Sequence, residues 1–84
     1  MDDIVVAAMA KWPNVPHCYG WLALDARGNW RMRDERAQAL NLAGDIIRNP
    51  TLQGFINRNY LCDDDGNCYF QNGPQKVYVD LAAT

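Results

Sequence analysis

The chain has 84 residues, 49% hydrophobic and 21% charged, enough for one domain but near the size at which a single core becomes marginal. Eight Lys and Arg against ten Asp and Glu leave a formal net charge of -2, so no overall positive field draws the protein onto nucleic acid or an anionic membrane. The longest apolar run, Ile4 to Ala10, falls far short of the roughly 20 residues that a bilayer-spanning helix needs.

Acids precede that run and Lys11-Trp12-Pro13 follows it, the reverse of a secretory signal. Three cysteines are too few, and odd in number, for a disulfide-built secreted module, so the expected compartment is cytoplasmic.

In chain order, Asp2 or Asp3 can cap a short helix through Ile4 to Lys11, against the weak helix preference of the β-branched Ile4, Val5 and Val6. Pro13 and Pro16 then break the chain. Gly20 to Arg33 reads as a hairpin in which Asp25 starts a type I turn and Gly28 takes the left-handed position that closes it. Leu24 should then face Trp30, and Leu22 should face Met32, with Trp21, Ala23, Arg31 and Arg33 on the outer side. Asp34 is placed to cap a helix to about Arg48, with Leu40, Ala43, Ile46 and Ile47 at helical spacing and Gly44 as a weak point. Asn49 and Pro50 open a second helix through about Arg58, its buried stripe Leu52, Phe55 and Ile56. From Tyr60 to Leu81 the pattern is a meander, with turns at Asp63–Asn67 and Asn72–Pro74 and a last strand in which Val77, Val79 and Leu81 alternate. The fold class expected is α+β: an antiparallel sheet of two similar hairpins plus a third meander strand, roughly four or five strands in all, packed on two main helices with a short N-terminal helix.

Leu24-Asp25-Ala26-Arg27-Gly28-Asn29-Trp30 aligns without gaps on Cys62-Asp63-Asp64-Asp65-Gly66-Asn67-Cys68. A shared turn would make Cys62 and Cys68 opposed cross-strand neighbours on the core face, within reach of a disulfide. Two buried, reduced cysteines acting as small hydrophobes is the first reading of that pair, and a disulfide the second. Zinc would require His17 and Cys18 as further ligands, at spacings that match no common zinc site. The acids of the second turn suggest calcium, but Gly66 on the invariant glycine of an EF-hand loop puts Leu61 at the first ligand position and Asn72 where a bidentate Glu belongs. No cofactor is expected. His17 beside Cys18 suggests a nucleophile and its base, yet sequence neighbours rarely face each other.

Two surfaces suit recognition: the outer hairpin face of Trp21, Arg31 and Arg33, and the turn carrying Gln71, Asn72 and Gln75. Tryptophan with arginine stacks on single-stranded nucleic acid but equally suits a protein interface, and the acidic balance favours the interface.

At His17-Cys18-Tyr19-Gly20-Trp21-Leu22, Asp25 to Trp30, Phe55 to Tyr60 and especially Phe70-Gln71-Asn72-Gly73-Pro74-Gln75-Lys76-Val77-Tyr78-Val79-Asp80-Leu81, the chain resembles a family of proteobacterial proteins of unknown function. The resemblance implies a bacterial intracellular protein and supplies no activity or catalytic residue. Members of that family continue past this segment, so residues 1–84 form one domain that is either an N-terminal part of a longer protein or a short relative. The family favours an aromatic where Cys68 stands, which favours the pair as core filler. The function expected is a small non-enzymatic binding or protein-interaction module. A thiol-redox or metal-binding protein centred on Cys62 and Cys68 is the alternative, and nucleic-acid binding through Trp21, Arg31 and Arg33 comes third. The expected partner is another protein, with no membrane, and the expected state a monomer or weak dimer.

Overall fold

The computed structural model describes residues 1–82. Along the chain run α1 (Asp3–Lys11), β1 (Cys18–Leu24), β2 (Trp30–Met32), α2 (Glu35–Ala39), β3 (Asp45–Ile46), α3 (Pro50–Arg58), β4 (Tyr60–Cys62), β5 (Cys68–Asn72) and β6 (Gln75–Leu81). Two of the connections are built by the same aspartate chemistry. Asp25 Oδ1 accepts the amides of Arg27 and Asn29 at 2.9 and 2.8 Å, and Asp63 Oδ1 accepts those of Asp65 and Asn67 at 3.0 and 2.9 Å. Gly28 and Gly66 close the turns with φ of 85° and 83°, the left-handed position that only glycine takes without strain. The turns set the registers: Leu24 opposes Trp30, Leu22 opposes Met32, and Cys62 opposes Cys68.

The hairpins do not form the purely antiparallel sheet that the meander pattern predicts. Six strands join in the order β3-β2-β1-β6-β5-β4, and the central pair, β1 with β6, runs parallel, with Leu22 opposite Val79 and Leu24 opposite Leu81. The reason lies in α3. That helix carries the chain from β3 at one edge to β4 at the other, so β4 sets off in the same direction as β3 and the meander returns β6 alongside β1. The alternating Val77 and Val79 are thereby buried at the centre of the sheet.

The expected helix from Asp34 to Arg48 stops early. Asp34 does cap it, accepting the Ala37 amide at 2.8 Å, but the helix ends at Ala39. Asn41 and Gly44, with φ of 53° and 85°, then turn the chain so that Asp45 and Ile46 add to β2 as an edge strand. Two arginines, one on β2 and one just after it, explain the override: Arg31 donates to the Gly44 carbonyl at 2.8 Å, and Arg33 donates to that of Leu42 at 3.0 Å. These bonds satisfy loop carbonyls that a continued helix would otherwise have bonded internally.

α3 forms as its sequence predicts, with Asn49 Oδ1 accepting the amides of Thr51 and Leu52 and Pro50 in the first turn. Its Ile56 seals the main core against Leu22, Trp30, Phe70, Val77 and Val79. α1 lies near the β5–β6 turn, where Ala8 approaches Gly73, and near the end of α3, where the Asp2 N–H donates to Asn59 Oδ1 at 2.9 Å; its Val5 is buried. The Asp2 side chain makes no cap bond because it pairs instead with Arg58 at 3.1 Å.

The amide of Asn29, followed by the Arg31 guanidinium and the Arg27 amide, holds the Asp25 carboxyl down from 3.8 to about 2. A depressed carboxylate stabilises the fold above its unfolded value and loses that contribution as pH falls through its folded one. Melts of the wild-type protein should therefore soften between about pH 4 and pH 2. Asp25→Asn, which keeps the turn acceptor but drops the charge, should soften less across that window.

Candidate binding site

Gly20, with φ of 86°, carries a bulge that shifts the β1 register between Cys18 and Leu22. The step from Cys18 to Leu22 on β1 covers only that from Val77 to Val79 on β6, and within this irregular stretch Trp21 lines a depression on the α3 side of the sheet, together with Leu22, Leu52 and Ile56. Trp21, Arg31 and Arg33 therefore do not share the outer face that strict alternation predicts. The arginines stay outside, and both are occupied. Arg31 pairs with Asp25 at 2.9 Å and Arg33 with Asp80 at 3.2 Å, besides their bonds to loop carbonyls. Phosphate binding through this face would have to break those bonds.

The Gln71–Gln75 turn also divides. Gln71 is buried, its amide bonded to Asn59 O at 2.8 Å and its Nε2 to Gly73 O at 3.0 Å, so it holds the turn. Gln75 Nε2 donates to the Pro16 carbonyl at 3.1 Å, and Asn72 is exposed. What the structure brings together is Trp21 with Asn72 and Gln75, around an apolar groove of about 280 Å³. Met32 and Leu52 also line it, exposed by 44% and 38% against 37% for Trp21, and Ile56 and Phe70 contribute their core atoms. The bulge that creates this grouping is invisible to a period-two reading.

Cys62 and Cys68 are directly opposed, with Cα atoms 4.0 Å apart, and are joined by a disulfide. They do not act as buried core filler: Cys62 is exposed and neither joins the core cluster, because they sit beside the projecting turn of an edge hairpin. Asp63, Asp64 and Asp65 follow Cys62 at once, and such a run of carboxylates repels the thiolate that disulfide exchange requires. The bond is thus placed as a clamp on the turn. Replacing both cysteines by serine should lower stability by about 1–2 kcal/mol, below the full loop-closure value because the turn is already closed by hydrogen bonds. Urea melts measure this. Thiol titration of the unfolded, unreduced chain should find Cys18 alone.

Cys18 packs against the core while the exposed His17 ring approaches Tyr78 edge-on at 5.5 Å, so the strand points the two neighbours to opposite sides. Among the described residues, no group of His, Cys, Asp and Glu converges to hold a metal ion, and no helix is long and apolar enough to cross a membrane.

Fold and surface together define a small α+β domain with a mixed six-stranded sheet and a preformed apolar groove. Over residues 1–84 the chain matches a family described as protein of unknown function (DUF2946), and it belongs to that family. No curated protein and no solved structure matches it.

Proposed function

We infer that the protein is a non-enzymatic interaction module that receives an apolar side chain of a partner protein in the groove beside Trp21. The observation that carries this reading is the clustering of Trp21, Met32 and Leu52, three exposed large apolar side chains, around one depression with amide groups at its end. Tryptophan and methionine supply much contact area at interfaces, and the Asn72 amide can orient a partner's backbone.

A photo-crosslinking residue placed at Met32 or Leu52 should capture one and the same partner in the native host, and Trp21→Ala should abolish the capture while the melting curve stays intact. Equal capture from Ala26, on the distant first turn, would sink the reading.

The disulfide supports thiol-redox function less well, since the adjoining acids oppose thiolate attack. It also favours an oxidising compartment over the cytoplasm, where protein thiols are kept reduced. The thiol count of protein alkylated directly in its host decides between the two.

A further inference from the structure

Where the two halves of the sheet meet, they fork. The β5–β6 ladder ends at Tyr69 opposite Tyr78, whereas β6 runs on to Leu81 beside β1 alone. The fork opens a cleft of about 510 Å³, within the ordinary range of ligand sites, between the tip of the second hairpin and the β1–β6 pair. Its floor is aromatic. Tyr19 is 64% exposed yet lies flat on Tyr78, with centroids 4.9 Å apart and planes 8° apart, which fixes one ring face and leaves the other open.

Charge selects what can lie there. Asp80 lines the cleft with a half-exposed carboxylate, Asn67 and Gly66 form the opposite lip, and Asp63, Asp64 and Asp65 stand on the same turn as that lip. No Lys or Arg is among the described residues that line it; Arg33 reaches Asp80 with one bond of 3.2 Å. The far end of the tyrosine row already accepts a cation: Lys76 Nζ sits 4.4 Å from the Tyr69 centroid and 5.9 Å from that of Tyr78.

We propose that this cleft binds an arginine side chain of a basic peptide segment, the guanidinium stacked on the open face of Tyr19 and paired with Asp80. A planar guanidinium satisfies both an aromatic face and a carboxylate, which an ammonium does less well. An extended peptide would also find β6 unpaired on its β5 side beyond Tyr78, where its backbone can bond. Anionic ligands, nucleic acid among them, meet the opposite field. This site is separate from the Trp21 groove and stands whether or not that groove binds a partner.

The test is an amide-resolved NMR titration of the full chain with a blocked tri-arginine peptide, and with a blocked tri-glutamate peptide as control. Saturable shifts should centre on Tyr19, Asn67, Asp80 and Leu81 and weaken as salt is raised. Asp80→Asn and Tyr19→Ala should each weaken binding by roughly tenfold, and Trp21→Ala should leave it unchanged. Both test positions are exposed, and unchanged melting curves establish that the fold is kept; Tyr19→Phe, which retains the ring, should bind like wild type. The proposal is overturned by no saturation at millimolar peptide, by shifts centred elsewhere, by equal affinity in Asp80→Asn, or by equal binding of tri-glutamate.

Discussion

Replacing Asn59 by alanine is expected to lower the unfolding free energy by about 3 kcal/mol, a large share of the roughly 5–15 kcal/mol that holds a domain of this size together. The residue is fully buried, and every polar group it has is in use. Its Nδ2 donates to Phe55 O at 2.8 Å, its Oδ1 accepts the Asp2 amide at 2.9 Å, and its backbone bonds Ile56 on one side and Gln71 on the other. The side chain thus ties the start of α1 to the end of α3, while the backbone joins that end to β5. Alanine strands the part-buried Phe55 carbonyl and Asp2 amide and leaves a void besides. Asn59→Asp keeps an acceptor for Asp2 but loses the donor to Phe55, and should also be strongly destabilising. Urea denaturation measures both variants, and a loss below about 1 kcal/mol for alanine would contradict this account.

Trp30→Ala should cost about 4 kcal/mol, in the range for deleting a buried aromatic. The indole is 5% exposed, meets Tyr60 edge-on at 5.1 Å and donates from Nε1 to Asn57 Oδ1 at 2.8 Å, so it links β2, α3 and β4. Trp30→Phe keeps most of the apolar area and loses the hydrogen bond, and should cost about half as much. The two variants should shift the urea midpoint in that order with the slope unchanged, since neither alters how much surface unfolding exposes. Equal effects would mean that the hydrogen bond, not the packing, carries the residue's contribution.

What was legible in the sequence was local. The Asp25–Gly28 and Asp63–Gly66 turns announce themselves because one aspartate and one left-handed glycine suffice to build each, and Asn49-Pro50 opens α3 for the same kind of reason. The failures are all cases in which distant groups decide. Residues 40–47 carry a helical pattern, but Arg31 on β2 and Arg33 just beyond it take the carbonyls of Gly44 and Leu42 and draw the segment out into β3. Alternation says nothing about parallel or antiparallel pairing, so Val77 and Val79 fit either until α3 sets the direction of β4. The candidate site differs for a subtler reason: the irregular stretch of β1 around Gly20, between Cys18 and Leu22, breaks the alternation and places Trp21 in the groove rather than on the arginine face. Tyr19 and Tyr78 could not be paired from sequence at all, since only the parallel register brings their strands side by side.

That parallel pair also fixes an order of events during synthesis. The first hairpin can close as soon as it leaves the ribosome, because its pairing is local. The inner edge of β1, however, waits for Val77, Val79 and Leu81, which are made only after β2, β3, β4 and β5. Until they emerge, the nascent chain presents an unpaired strand edge beside an apolar surface, the kind of template on which neighbouring chains on a crowded polysome mispair. A message cut short before β6 would therefore yield a product prone to aggregation, and translation past Leu81 is the step that closes the sheet.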